Sequence, residues 1–123
     1  MRNLVFLLVL ILSAALQGNA QKQDKIFVTI SDITGNDLFR HCNSHEPFEL
    51  NFCVGYVEGV RDGMAFTSVG FNSKSLIDEP SRVTSDQLKD IVLKYLKDHP
   101  ETRHKAAGML TIWALQEAFP RQP

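Results

Sequence analysis

Hydrophobic and polar positions follow a helical period along most of the chain. Apolar residues recur at spacings of three and four through residues 47–67 and again through residues 84–99, a pattern that buries one face of each helix. Residues 101–119 are rich in good helix-forming side chains, and Pro120 ends that run. No convincing pair of strands is present, so the sequence predicts an all-α fold.

Short local signals mark where these helices begin. Thr34 can cap a short helix over residues 35–42, and Pro47 suits the first position of the next helix. Thr84 and Gln87 stand three residues apart, which is the spacing of a capping box. We therefore expect a small compact domain of about four helices.

The helix predicted over residues 47–67 is apolar around most of its circumference. It also contains Gly55, Gly59 and Gly63, each four residues from the next. A glycine in a helix interior costs about 1 kcal/mol relative to alanine, so three of them on one stripe indicate that another backbone packs unusually close. This pattern predicts a central helix that is surrounded by the others.

Two surfaces of the predicted domain are candidates for binding a partner. The first is the connection over residues 68–83, which is long for a segment without regular structure. Its candidate contact residues are Phe71, Asn72, Lys74 and Asp78. The second is a polar wedge on the preceding helix, where Asn51 accompanies the candidate contact residues Glu58, Arg61 and Asp62. The plainer alternatives are a solvated connection with Phe71 packed into the core, and a salt-bridged polar face without a partner.

The N-terminal residues predict export from the cytoplasm. An apolar run over residues 4–16 follows a positive charge and leads to small residues, the layout of a cleaved secretory signal peptide over residues 1–20. Residues 21–123 then form the domain, which opens with a weakly alternating, extended segment over residues 21–33. The formal net charge of −1 gives no electrostatic footprint for nucleic acid or an anionic membrane, so we expect neither as a partner.

The chemistry-bearing residues point away from catalysis. Cys42 and Cys53 follow an export signal, and two thiols in an oxidising compartment favour one disulfide over a metal site, with buried free thiols as the alternative. The four histidines lack the spacing of a metal motif, and no nucleophile elbow or phosphate-binding loop is present. We therefore predict that the protein is not an enzyme and holds no metal or cofactor.

Three groups of residues match a known family. They are Thr34–Leu38 with Cys42, then Phe52–Gly63, and finally Thr84–Leu88, Tyr95–Leu96, His99–His104 and Ala114–Pro120. In this order they resemble the Tai/Rap family of type VI secretion amidase immunity proteins, over nearly the whole chain after the signal peptide. The resemblance implies a small helical periplasmic protein, often a homodimer, that binds a peptidoglycan amidase effector and blocks its cleft with a projecting segment.

One departure from the family pattern concerns its cysteines. Relatives commonly carry two more, one just before the capping-box helix and one after the terminal Phe-Pro, where this chain has Ser75–Ile77 and Arg121. The resemblance therefore leaves Cys42 and Cys53 as the remaining bridge. It also predicts a looser tether between the connection over residues 68–83 and the C-terminus.

A different class of function is the alternative to an immunity protein. A helical periplasmic chaperone of acid stress would expose apolar surface when its four histidines and 14 acidic residues gain protons. Dye binding and oligomeric state at neutral and strongly acidic pH discriminate between the two.

Overall fold

The computed structural model describes residues 32–122, and the predicted signal peptide and residues 21–31 lie outside this range. Four α-helices form the described part of the chain. They are α1 (Gly35–Cys42), α2 (Pro47–Gly70), α3 (Ser85–Asp98) and α4 (Ala107–Ala118), with a short 3-10 helix, Pro100–Thr102, between the last two. The prediction of an all-α fold with about four helices is confirmed.

Two of the helices begin at the same kind of cap. At α1 the Thr34 hydroxyl accepts a hydrogen bond from the Asp37 N–H at 3.3 Å, and the Asp37 carboxylate accepts one from the Thr34 N–H at 3.0 Å. Thr84 and Gln87 repeat this reciprocal pair at α3, at 3.2 and 2.8 Å. Each box satisfies backbone donors that a helix start leaves without partners.

The stretch before α4 differs from the continuous helix predicted over residues 101–119. Pro100 opens only a 3-10 turn, and residues 103–106 form turns and a bridge rather than α-helix as far as the start of α4. The first two N–H groups of α1 donate to the carbonyls of Lys105 and Arg103, each at 2.9 Å. Because those carbonyls serve the N-terminus of α1, this stretch has a capping role in place of a helical one.

The core lies where the four helices meet, and each helix contacts the other three. Its fully buried leucines are Leu38 from α1, Leu88 and Leu96 from α3, and Leu110 and Leu115 from α4. The most enclosed helix is α4, which buries five of its 12 residues, whereas α2 buries three of 24. The prediction that the helix after Pro47 is central is therefore wrong.

A single disulfide joins α1 to α2. The Cα atoms of Cys42 and Cys53 lie 5.1 Å apart, and both residues are buried in the core. This confirms the predicted bridge and uses both cysteines of the chain. A cross-link between the end of α1 and the second turn of α2 restricts the unfolded chain and holds the two helices together.

The glycine stripe of α2, formed by Gly55, Gly59 and Gly63, does not make the close approach that the sequence predicts. A Cβ atom built at Gly55, Gly59 or Gly63 would meet no described atom within 4 Å apart from the helix itself. At about 36 Å, α2 is much longer than α3 at about 21 Å, so part of its surface extends past the other helices. Among residues 32–122, the glycine stripe therefore lies on an open face of α2.

Candidate partner-binding site

Three large apolar side chains are exposed near the C-terminal end of α2. Phe66 is 80% exposed, Val69 83% and Phe71 80%, and we call these three residues the apolar tip. Their place in the sequence, within six residues, puts them on the last turns of α2 and its C-cap. Phe71 was one of the predicted contact residues, and its exposure shows that it is not packed into the core.

The backbone at the end of α2 fixes how the tip is presented. The Ser73 N–H donates to the Ser68 carbonyl at 2.9 Å, and the Asn72 N–H donates to the Val69 carbonyl at 3.3 Å. This pair of bonds is a Schellman motif, which requires a left-handed residue, and Asn72 supplies it with φ 46°. The predicted contact residue Asn72 therefore ends the helix and sets the direction in which the chain leaves it.

The residues of the predicted polar wedge have three different surroundings. The Glu58 carboxylate accepts a hydrogen bond from the Ser85 hydroxyl, which links α2 to the start of α3. Arg61 reaches from α2 to Glu79 on the connection, 4.0 Å away. The Asp62 side chain stays 65% exposed, although one of its oxygens is 3.5 Å from the Arg61 Nε. Only Asp62 is thus free to meet a partner with most of its surface.

The connection after α2 is attached to the C-terminal segment through Asp78. Its N–H donates to the Phe119 carbonyl at 3.2 Å, and its carboxylate accepts a hydrogen bond from the Gln122 N–H at 2.6 Å. Ile77 is buried beside it and anchors the connection in the core. Asp78, a predicted contact residue, therefore ties the connection in place, whereas the fourth predicted residue, Lys74, is exposed.

A surface groove of about 420 Å³ runs along α2 next to the tip. Its lining residues are Asp62, Ala65, Phe66 and Val69. Among the lining residues that the structure describes, only Asp62 carries a charge and the other three are apolar, so this part of the groove combines a hydrophobic surface with an acidic group. Asp62 and Phe66 are four residues apart on the helix, which places the carboxylate and the ring on the same face.

Sequence reasoning missed Phe66 and Val69, although a signal for them exists. Residues at alternating spacings of four and three share one face of a helix, and α2 carries such a series. Its members are Phe48, Phe52, Gly55, Gly59, Asp62, Phe66 and Val69. The face is exposed or half-buried throughout. The series shows which side chains lie together but not whether another element covers them.

Two kinds of site are absent from the described residues. No group of three or more His, Cys, Asp or Glu side chains within residues 32–122 is arranged to hold a metal ion. None of the helices in the same range has both the length and the apolar character of a membrane span.

The family model for Rap1a immunity proteins matches residues 34–120. The chain belongs to the Rap1a immunity family. The match starts at the cap of α1 and ends just after α4, so it includes the disulfide, the glycine stripe and the apolar tip. Comparisons with curated proteins and with solved structures give no match.

Membership of the Rap1a family tells what kind of surface is needed. An immunity protein binds a partner effector, and binding depends on exposed complementary surface rather than on reactive groups. Apolar side chains that cluster on an exposed surface are typical of interaction sites. The apolar tip and the groove next to it provide that kind of surface in this Rap1a-family protein.

Proposed function

We propose that this protein is a type VI secretion immunity protein of the periplasm that binds a peptidoglycan amidase effector and inhibits it without turnover. The apolar tip is the observation that carries the proposal, because aromatic side chains such as Phe66 and Phe71 are the usual anchors of interfaces. The family match supports the immunity role. The predicted signal peptide and the disulfide support the periplasm as its compartment.

The way α2 is held suits it to blocking a cleft. Its N-terminal half is cross-linked to α1, and its buried residues pack against the rest of the bundle. Its last turns carry the apolar tip, and the Schellman motif closes the helix behind it. A projection that is ordered before binding loses little conformational freedom on association, which favours tight inhibition.

The test is an inhibition assay with the full chain purified from the periplasm. Amidases encoded beside its gene are mixed with increasing amounts of the protein, and peptidoglycan cleavage is followed. The wild-type protein is expected to stop cleavage at about one equivalent, and the double variant Phe66→Ser, Phe71→Ser is expected to lose at least 100-fold in affinity, since two interface anchors are removed. Cleavage that continues with excess wild-type protein for every amidase overturns the proposal.

A matched control lies at the other end of the same helix. Phe48 is 79% exposed and stands in the first turn of α2, about 27 Å from Phe66 along the helix. Phe48→Ser removes the same kind of side chain and is expected to leave inhibition unchanged. Equal losses in Phe48→Ser and Phe66→Ser would mean that the tip is not the binding site. Circular dichroism shows whether each variant keeps its helices.

Homodimerisation remains a prediction from the family resemblance. Light scattering of the wild-type chain measures it directly, and a mass of twice the chain is the expected result. A monomer at concentrations well above those of the inhibition assay contradicts it.

The same protein preparation distinguishes an immunity protein from the alternative, an acid-stress chaperone. An acid-stress chaperone binds an apolar dye strongly after acidification and loses its neutral-pH oligomeric state. A protein that captures its amidase and gives the same dye signal at neutral and strongly acidic pH is not of that class.

A further inference from the structure

We infer that the groove formed by Asp62, Ala65, Phe66 and Val69 receives a basic side chain, arginine or lysine, from the effector. The inference rests on the proposed function and names the chemistry of the surface that meets the tip. The groove has room for such a side chain, with a volume of about 420 Å³. It offers one carboxylate and an aromatic ring on the same helix face.

The net charge of the segment that carries the tip favours a basic partner. Residues 58–79 carry four acidic side chains, Glu58, Asp62, Asp78 and Glu79, against two basic ones, Arg61 and Lys74. Arg61 lies between Asp62 and Glu79 and is shared by both carboxylates. The segment therefore keeps an excess of negative charge, which attracts a positive surface and repels a negative one.

The apolar wall of the groove favours a cation that is weakly hydrated on one side. A guanidinium or ammonium group over the face of Phe66 gains a cation–π contact while it pairs with Asp62. This chain already contains such a contact at the edge of its core, because the Arg103 guanidinium lies 3.7 Å from the centre of the half-buried Phe39 ring. The groove offers the same aromatic partner, exposed and with a carboxylate added.

The same charges argue against a second copy as the occupant. A symmetric contact across this groove would bring the acidic segment of one chain against the identical segment of the other. Like charges that face each other at an interface cost binding energy. A basic effector surface has no such penalty.

The test measures the affinity of the full chain for its amidase by calorimetry, at low and high salt. Asp62→Asn keeps the shape of the side chain and is expected to weaken binding by about 10-fold, as for the loss of one charge-assisted contact. Asp62→Lys places a like charge in the groove and is expected to weaken binding by about 100-fold or more. The wild-type affinity is expected to fall with salt, and that of Asp62→Asn to fall less.

Asp90 supplies a matched control on α3. Its side chain is 70% exposed, against 65% for Asp62, and it also lies beside a basic neighbour, since one of its oxygens is 3.3 Å from the Lys89 Nζ. Asp90→Lys is expected to bind as the wild type does. If both reversals weaken binding equally, general charge steering accounts for the effect and the groove is not the site.

The remaining outcomes separate this inference from the proposed function. If the amidase binds the wild type, Asp62→Asn and Asp62→Lys equally well, the inference about the groove is wrong, whereas the proposed immunity function stands. If no amidase binds the wild type, both fall. If the wild type is a dimer that Asp62→Lys dissociates, a second copy occupies the groove and the inference is wrong. Rescue of Asp62→Lys by an acidic substitution at one basic residue of the amidase supports it directly.

Discussion

The two ends of α2 are built in opposite ways. Near its N-terminus Cys53 is buried and covalently bound to α1, and the neighbouring turns pack against the core. At its C-terminus Phe66, Val69 and Phe71 are exposed, and the chain is held by backbone hydrogen bonds and by Asp78. One helix therefore has a buried, cross-linked end, which belongs to the framework of the fold, and an end whose apolar side chains stay exposed among the described residues.

This difference separates the residues that fix the structure from those free to bind. A phenylalanine exposed by itself, such as Phe48, is common on protein surfaces and indicates little. Phe66 differs because Val69 follows it on the same helix face and both line a groove that contains a carboxylate. The proposed binding surface therefore rests on the company of other apolar side chains at the end of an anchored helix, rather than on exposure as such.

The largest expected effect comes from removing the covalent bond at the framework end. The double variant Cys42→Ser, Cys53→Ser is expected to lose about 2–3 kcal/mol of unfolding free energy, because a closed loop of this length restricts the unfolded chain by that amount. Urea unfolding with and without reductant measures it. Reductant should lower the stability of the wild type and leave the serine variant unchanged. Equal stability of the oxidised wild type and the serine variant would contradict the role assigned to the bridge.

A smaller loss is expected from the tight packing at the start of α1. A Cβ atom at Gly35 would lie 2.3 Å from a methyl carbon of Leu110 and 2.9 Å from the Arg103 carbonyl oxygen. The backbone oxygen cannot move away cheaply, so Gly35→Ala is expected to cost about 1–3 kcal/mol of unfolding free energy. Urea unfolding again measures the change. Unchanged stability would show that α1 can shift away from the stretch before α4.

A gain in unfolding free energy, rather than a loss, is expected from a substitution on the open face of α2. A Cβ atom at Gly59 meets no described atom within 4 Å beyond its own helix, so Gly59→Ala should raise the unfolding free energy by about 0.5–1 kcal/mol through helix propensity alone. Urea unfolding at several protein concentrations is the measurement. A loss of stability that grows with concentration would instead place a second copy on the glycine stripe.

Local signals in the sequence predicted the framework well. Thr84 and Gln87 form their box within three residues, and Pro47 starts α2, because capping depends on neighbours in the chain. The pairing of Cys42 with Cys53 was predicted from two thiols that follow an expected export signal. These features require no knowledge of how the helices pack.

Contacts between residues far apart in the chain could not be predicted from the sequence. Asp78 reads as an exposed loop residue, but its carboxylate binds the backbone of Gln122, 44 residues later. The glycine stripe reads as a packing surface, yet periodicity cannot tell whether another helix covers it. Phe66 was missed for the same reason. The tip becomes visible only when the positions of all four helices are known.

The smallest expected effect is a difference in pH dependence between the two capping boxes, which differ in charge at their third position. Hydrogen bonds from the side chain and backbone of Thr34 lower the pKa of Asp37 below its ordinary value, whereas Gln87 has no charge to lose. A lowered pKa in the folded state adds stability at pH above about 4, the ordinary value for aspartate, and this stability disappears as the pH falls through the folded value.

The measurement is the destabilisation caused by Thr34→Ala and by Thr84→Ala in urea unfolding between pH 7 and pH 2.5. Thr84→Ala is expected to cost about 1 kcal/mol at every pH, as for the loss of an N-cap. Thr34→Ala is expected to be destabilising at pH 7 and less so in acid, because the protonated Asp37 accepts weaker hydrogen bonds. If the two variants show the same pH dependence, the charge of Asp37 adds no stability to its capping box beyond that of a neutral residue such as Gln87.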